Sequence, residues 1–448
     1  MERFSAPLFV SAILLCLVTS SKTFAGDARL IRFQGSLAKP ESDGKVQILR
    51  RFEVLLMTSP LAFFCVLDDE RAGCPWPESF GRLDDNSSRP SPRLVYEYEG
   101  TPFDLPLPSL RLDLPADSKA NPSWVTDRWK FEVSGSETVD GAPCLQVEAT
   151  EQRGRRQSLL VDEASGLLRE ARQRVFMGQG DPFELSISRT LDEPMESDVA
   201  ERTAVLASAL LELQAAIGRQ PNSQSGELSP RQTQVASEAL EEIRILAGDT
   251  PLQELVARID RDADRQQQRV ARSVERQQQL LNQPAPEFSL SLVSGGTVSS
   301  ESMKGKTIVL HFWKYTDKPL TEPYGQIGYL DFLAGRRKSA RVEVIGVSTN
   351  PALQQQSSVA AGRRSARKLI EFMNLSYPIG YDNGSLLRAL GDPREDNGDL
   401  PLWVVVSPEG SVVHYRSGLY EIDRERGLKE LDDVLIKLSR SAKQAESP

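Results

Sequence analysis

The sequence predicts a multidomain protein with an N-terminal antiparallel β-sheet or half-barrel, a helical connector and a C-terminal α/β sandwich. Apolar and polar residues alternate up to about residue 191, a helical period follows, and strands alternate with helices after about residue 284. The chain has 448 residues, of which 39% are apolar, so it is long enough for several domains with buried cores.

The first 25 residues have the pattern of an export signal. Arg3 lies in a short charged start, residues 8–18 are apolar, and Thr23 and Ala25 are small residues placed for cleavage. An apolar run of this length is too short to cross a bilayer, which takes about 20 residues. The pattern therefore favours a cleavable signal peptide over a membrane anchor.

The charge of the chain supports an exported protein that does not bind nucleic acid. Removal of Arg3, Lys22 and Glu2 with the signal takes the net charge from −9 to −10. General nucleic-acid binding needs a basic surface, so an acidic balance argues against it. We expect a periplasmic or extracellular location, with no transmembrane segment after signal cleavage.

Residues 27–191 are predicted to form a β-rich domain. Asp140-Gly141 and Gly166 supply the positive φ that hairpin turns need. The predicted strands lie in the segments KVQILRRFEVLLM, WKFEVSG, PCLQVEAT, RQSLLVD, LREARQRVFM and FELSISRTL. Their order, with a Val-Asp-Gly turn before a second hairpin, is similar to that of LolA/LolB-like lipoprotein carriers. The resemblance implies a curved sheet that holds acyl chains, and hence a lipid at this domain.

Three cysteines remain after signal cleavage: Cys65, Cys74 and Cys144. In an oxidising compartment two of them can pair, and Cys65 with Cys74 is the nearer choice. The alternative is that all three are buried and reduced. No cysteine follows residue 144.

Residues 196–283 are predicted to form a helical connector with helices at about 198–217, 230–247 and 251–282. Ser229-Pro230 and Thr250-Pro251 each read as a capping residue followed by proline at the first helical position. In the second half of the third helix, Val270 and Val274 form a thin apolar seam among residues that are almost all polar. We therefore interpret that half as a solvated spacer.

Residues 284–440 carry a series of short motifs in a recognisable order, and residues 441–448 are predicted to be a disordered tail. The motifs are Ala285-Pro286-Glu287-Phe288, Lys304-Gly305-Lys306, Phe312-Trp313, Val344-Ile345-Gly346-Val347-Ser348, Tyr377-Pro378, Leu400-Pro401 and Pro408-Glu409-Gly410. The segment resembles the TlpA/ResA branch of the thioredoxin-like superfamily, which is related to AhpC/TSA peroxiredoxins. The resemblance implies a thioredoxin-like sandwich.

The redox motif of that family is missing from this chain. In the family the strand that ends in Phe-Trp leads into W-C-x-x-C, and the two cysteine positions fall on Asp317 and Leu320 after Trp313. A peroxiredoxin register also places its reactive cysteine on Leu320. Leucine is no nucleophile and a carboxylate does not exchange disulfides, so we expect Trp313, Asp317 and Leu320 to be vestigial active-site positions.

Asp317 has a structural and a catalytic interpretation. At a helix start its carboxylate would accept amide hydrogen bonds, worth about 0.5 to 2 kcal/mol. As a general base it would need a partner, but the only histidines, His311 and His414, lie in strand patterns. We favour the cap, and no catalytic residue, metal site or cofactor is predicted.

Leu400 and Pro401 match the cis-proline position that lines the substrate groove in the family. We expect a cis Pro401, which either preserves the groove or serves the fold of the sheet. The basic runs at 336–338 and 363–368 are interpreted as solvated faces, with an anion or partner patch as the alternative.

Three functions follow from these observations. The first is a redox-inactive binding or scaffolding protein of the cell envelope that engages a protein partner. The second, an enzyme, is a thiol-disulfide oxidoreductase or peroxiredoxin-like protein, as the family resemblance implies. The third is a carrier of lipid or lipoprotein through the N-terminal domain. The missing cysteines favour the first over the second.

Overall fold

The computed structural model describes residues 28–41, 45–68, 79–83, 92–98, 101–115, 122–126, 129–152, 154–218, 227–317, 324–396, 398 and 400–445. The predicted signal peptide, Cys74 and Leu320 lie outside these ranges. Among the described residues, no helix combines the length and the apolar composition needed to cross a membrane.

The N-terminal region forms a large antiparallel sheet, as predicted. Its described strands are β1 (Arg29–Pro40), β2 (Val46–Met57), β3 (Phe63–Asp68), β4 (Phe80–Arg82), β5 (Arg93–Tyr98), β6 (Thr101–Pro106), β7 (Ser123–Thr126), β8 (Trp129–Val139), β9 (Ala142–Glu151), β10 (Arg156–Asp162), β11 (Leu168–Met177) and β12 (Asp181–Pro194). Ten of them pair in the order β4-β3-β2-β1-β12-β11-β10-β9-β8-β7, and β5 and β6 form a separate hairpin. The antiparallel pairing of β1 with β12 joins the two halves of the sheet.

One face of this sheet is covered by its own chain. Apolar side chains alternate along the strands, as Phe33, Val54 and Val147 illustrate, and form a buried cluster. Leu94 and Leu105 of the β5–β6 hairpin belong to the same cluster. The hairpin therefore packs on the apolar face that a bound acyl chain would use.

The helices predicted as a connector pack against the other face of the sheet. They are α1 (Ser197–Ile217), α2 (Pro230–Ala247) and α3 (Gln253–Leu280), close to the predicted bounds. Leu55, Phe63 and Cys65 share a buried cluster with residues of all three helices. A connector that buries so much apolar surface is an integral layer of the N-terminal domain.

Of the two predicted capped helix starts, the one at Ser229 is confirmed and the one at Thr250 is not. Ser229 caps α2 with a complete capping box, because its hydroxyl accepts from the Gln232 N–H while the Gln232 side chain accepts from the Ser229 N–H. The prediction for Thr250 was wrong. Its hydroxyl donates to the Ala247 carbonyl at 2.9 Å, and α3 begins at Gln253 without a side-chain cap.

The apolar seam of α3, predicted at Val270 and Val274, was wrong at Val274, and Val270 is only half-buried. Val274 is 43% exposed, whereas Gln266 and Arg269 are buried. Arg269 donates to the Leu228 carbonyl at 2.5 Å, and the Ser273 hydroxyl is 3.0 Å from that of Ser417 in the C-terminal domain. A polar stripe, spaced three and four residues apart, thus replaces the solvated spacer and reaches the next domain.

The C-terminal region is a thioredoxin-like domain with a mixed sheet. Its strands are β13 (Ser289–Leu292), β14 (Thr297–Ser299), β15 (Thr307–Trp313), β16 (Val342–Ser348), β17 (Ile379–Tyr381), β18 (Leu402–Val406) and β19 (Val412–Ser417), in the order β14-β13-β17-β16-β15-β18-β19. Strands β15, β16 and β17 are parallel, and β18 runs antiparallel to β15.

Helices cover both faces of this sheet. They are α4 (Ile327–Arg337), α5 (Pro351–Gln354), α6 (Val359–Met373), α7 (Ser385–Leu390) and α8 (Lys429–Ala445). Leucines of α4, α6 and α8 pack on one face, and leucines of α7 pack on the other. The predicted crossover from β15 through α4 to β16 is confirmed. Helix α8 includes residues 441–445, which the sequence analysis assigned to a disordered tail.

A glycine in β1 gives a test of the N-terminal packing. A Cβ at Gly35 would lie 2.1 Å from the ring of Phe52, its cross-strand partner. We expect Gly35→Ala to lower the free energy of unfolding of this domain by about 1 to 3 kcal/mol, measured by urea unfolding, because the buried ring must move. Gly135→Ala is the matched control, since its nearest neighbour is the end of the exposed Gln146 side chain. Equal effects at the two sites would contradict this packing.

Candidate functional site

Tyr315 anchors the chain that follows β15. Its side chain is fully buried, and its backbone has a φ of 43°, which is unusual for a residue with a Cβ. The hydroxyl lies 2.6 Å from Nδ1 of His311 and 3.1 Å from the hydroxyl of Tyr377. A Cβ at Gly346 of β16 would lie 2.5 Å from the Tyr315 ring, so only glycine leaves room for it.

This buried network does not titrate near neutral pH. Burial lowers the pKa of His311 to about 3, and the Gly325 backbone acts in the opposite direction. Burial also raises the pKa of Tyr315 and of Tyr377. Nε2 of His311 has no hydrogen-bond partner of normal geometry among the described residues. The network is therefore neutral and structural, and His311 is not poised as a general base.

Asp317 occupies the position predicted for a reactive cysteine, but it does not cap α4. The Ser365 hydroxyl on α6 accepts from the Asp317 N–H at 3.1 Å and donates to the Asp317 carboxylate. Lys368, also on α6, lies 3.5 Å from that carboxylate, and the Thr316 hydroxyl is 2.9 Å from Ser365. The described helix α4 begins only at Ile327. Among the described residues α6 holds its side chain, and the amides that a cap at Asp317 would bind lie outside the described ranges, so the cap stays a prediction.

A left-handed turn precedes α4. Tyr324, Gly325 and Gln326 have φ values of 51°, 59° and 60°. A Cβ at Gly325 would lie 2.5 Å from the Trp313 indole, so the turn packs directly on that ring. The Gln326 amide donates to the Tyr420 carbonyl at 2.7 Å and accepts from the Tyr420 N–H at 2.9 Å. These contacts over-determine a backbone conformation that would otherwise be unfavourable.

Leu400 and Pro401, two of the positions predicted to be vestigial, lie beside Trp313. The Leu400–Pro401 peptide bond is cis, and both residues are buried. Leu402 pairs with Phe312, so Pro401 is next to Trp313 at the end of β15. The Pro401 carbonyl accepts from the Gly418 N–H at 2.8 Å. The structure thus brings Trp313 and Pro401 together.

Two cysteines are described, and both belong to the N-terminal sheet. Cys65 and Cys144 are free and fully buried. Burial raises the pKa of the Cys65 thiol to about 12 and also raises that of Cys144. Cys74 lies outside the described residues, but Cys65 is a free thiol, so the predicted pairing of Cys65 with Cys74 was wrong.

Sequence reasoning missed most of the groups that hold this site. Ser365, Tyr377 and Gln326 are 48, 62 and 94 residues in sequence from the groups they bind. The spacing of His311 and Tyr315 is the one local signal. The second histidine, His414, is hydrogen-bonded to the Tyr420 hydroxyl at 2.6 Å. Among the described residues, no group of three or more His, Cys, Asp or Glu side chains is placed to hold a metal ion.

Comparisons with known proteins agree with this fold for one part of the chain. Residues 281–415 match the AhpC/TSA family. A comparison with curated proteins found no match. The match covers less than a third of the chain, so it describes the C-terminal domain only.

Several solved structures are similar to part of the chain. A thioredoxin-family thiol:disulfide interchange protein from Chlorobium tepidum TLS is 20% identical and has a TM-score of 0.27, over 35% of this chain and 97% of its own. A thiol:disulfide interchange protein from Bacteroides sp. is 20% identical and has a TM-score of 0.27, over 37% of this chain and 95% of its own. Peroxidoxin BcpB from Mycobacterium tuberculosis is 16% identical and has a TM-score of 0.26, over 36% of this chain and 96% of its own.

The burial of His311 gives a prediction about pH. Its folded pKa of about 3 lies below the unfolded value of about 6.5, so the unfolded chain binds the extra proton between these values. The stability that depends on neutral His311 is therefore lost as pH falls below about 6.5. In NMR titrations, the imidazole signal that disappears in His311→Gln should not shift between pH 8 and 5. A midpoint near 6.5 for that signal would show a solvent-exposed ring.

Proposed function

We propose that this chain is an exported protein whose thioredoxin-like domain has no thiol chemistry and serves a binding or scaffolding role in the cell envelope. One observation carries the proposal: the position of the reactive cysteine is Asp317, which Ser365 and Lys368 hold in place. The sequence contains no cysteine after residue 144. Export and the envelope location rest on the pattern of residues 1–25.

Thiol exchange needs a thiolate that a substrate can reach. Cys65 and Cys144 are buried in the N-terminal sheet, and burial raises the pKa of both thiols. Neither thiol belongs to the C-terminal domain, and neither is activated. These facts support a domain that keeps the fold while its redox function is absent.

The surface beside Trp313 supports binding. Trp313 is partly exposed, and Gly325 and Pro401 border it. Its backbone neighbours are fixed by the buried Tyr315 and by Gln326. A rigid aromatic side chain loses little conformational entropy on binding, so it suits a protein partner.

The AhpC/TSA match over residues 281–415 supports a second candidate, a thiol-disulfide oxidoreductase or peroxiredoxin-like protein. Such an activity would have to use thiols supplied by a partner. A lipid or lipoprotein carrier function of the N-terminal domain is the third candidate. The extended apolar face of its sheet supports it, but a lipid would have to displace the β5–β6 hairpin.

The redox part of the proposal is tested with the full-length mature chain. We expect no insulin-disulfide reduction and no peroxide consumption above buffer controls, because no reactive thiolate is present. The triple variant Cys65→Ser, Cys74→Ser and Cys144→Ser is the control and should behave identically. Turnover by the wild type that the triple variant loses would assign exchange to the N-terminal cysteines; turnover that persists would show a thiol-independent activity. Either result rejects the proposal.

The binding part is tested with the same chain as bait for exported proteins. We expect a specific partner that the wild type retains and Trp313→Ala loses. Ile245→Ala is the matched control, since Ile245 is 83% exposed on α2. A partner retained equally by all three baits would show that binding does not use the Trp313 surface.

A further inference from the structure

A basic cleft lies between the C-terminal end of α4 and the first three turns of α8, separate from the Trp313 surface. Its volume is about 450 Å³. The lining residues are Arg336, Arg337, Arg426, Asp432, Asp433, Ile436, Lys437 and Arg440. Five cationic and two acidic side chains leave an excess of three positive charges, in a protein with a net charge of −9.

A buried carboxylate organises the floor of this cleft. Asp432 is 0% exposed, and one of its oxygens accepts from Nε and Nη2 of Arg337 at 2.6 and 2.5 Å. The other oxygen accepts from Nη2 of Arg426 at 3.1 Å. A buried carboxylate that binds two guanidinium groups fixes the position of both arginines. Long side chains on a protein surface are otherwise mobile.

The two fixed arginines keep donors for a ligand. Arg426 also binds Asp433 through Nη2, at 2.5 Å. Among the described residues, Nη1 of Arg337 and Nη1 of Arg426 have no hydrogen-bond partner. Guanidinium N–H groups match the oxygens of a phosphate well, and such charge-assisted bonds are strong.

Two exposed aromatic rings lie next to basic residues of the cleft without lining it. The Arg336 guanidinium lies 5.5 Å from the centre of the Phe332 ring, which is 56% exposed. Tyr329 is 45% exposed and packs beside Gly427, the neighbour of Arg426. Aromatic rings next to basic side chains suit the interface of an anionic membrane.

We propose that this cleft binds the phosphate group of an anionic ligand, with Arg337 and Arg426 as the fixed donors and Lys437 and Arg440 as peripheral charges. A lipid headgroup and a free phosphate ester share this chemistry. The two exposed rings favour the lipid.

The experiment compares three probes on the full-length mature chain. Vesicles of phosphatidylglycerol, vesicles of phosphatidylcholine and inorganic phosphate are tested by co-sedimentation and by NMR shifts of the 426–437 amides. We expect binding to the phosphatidylglycerol vesicles and weaker shifts with inorganic phosphate. Shifts with phosphate alone would identify a free phosphate compound as the ligand. Binding to neither, or equally to both vesicle types, overturns the proposal.

Two variants separate this site from general charge. Lys437→Gln with Arg440→Gln should weaken phosphatidylglycerol binding at least about tenfold, since each basic group near an anionic surface contributes about fivefold. The control is Arg231→Gln with Arg364→Gln, which removes the same charge from exposed positions that do not line the cleft. If both pairs weaken vesicle binding equally, the effect comes from the net charge of the protein, and the proposal is overturned.

Asp432→Asn gives the sharpest contrast, because it makes the cleft more positive while it removes the group that fixes both arginines. We expect weaker binding of phosphate and of phosphatidylglycerol, with circular dichroism confirming that the variant is folded. Tighter binding would mean that positive charge is sufficient even when the arginines are not fixed, and would contradict the proposed site. If this variant fails to fold, the two surface pairs decide the question.

Discussion

The contact of Tyr315 with three parts of the C-terminal sheet determines where the chain goes after β15. The ring packs on Gly346 of β16, and the hydroxyl meets His311 of β15 and Tyr377 just before β17. A buried tyrosine hydroxyl without partners would be costly, so these hydrogen bonds hold the side chain inside. The chain then runs toward α6, where Ser365 holds Asp317.

This arrangement opposes the requirements of a redox site. A reactive thiolate needs free amides at a helix start and access to solvent. Here the residue at that position is bound to α6, and the described helix α4 begins ten residues later, after a left-handed turn fixed by Trp313 and Gln326. Of the described residues around this position, Tyr315 is held by buried contacts and Asp317 by α6.

Local patterns predicted the elements whose causes are local. Helix α2 begins at Pro230 because Ser229 and Gln232 form a capping box within four residues. Strand β15 has the predicted bounds because its apolar run is buried on both faces. Strand β1 was missed, although its buried residues alternate, since it pairs with β12 at the far end of the domain.

Long-range contacts explain the errors. Hydropathy alone selected Val274 as the seam of α3, but Arg269 and Ser273 make the contacts because their partners lie elsewhere in the chain. Asp317 resembled a helix cap because capping is the commonest local use of aspartate. Its described hydrogen-bond partner, Ser365, is 48 residues away and has no sequence signature.

The hydrogen-exchange rate of the Asp317 amide tests the role of Tyr315 most directly. This N–H donates to Ser365, so the account predicts protection in the wild type. Tyr315→Phe removes the hydroxyl that holds the segment and should speed this exchange at least about tenfold, while the Val147 amide in the N-terminal sheet is unchanged. An Asp317 amide that exchanges freely in the wild type, or at the same rate in both proteins, would contradict the account.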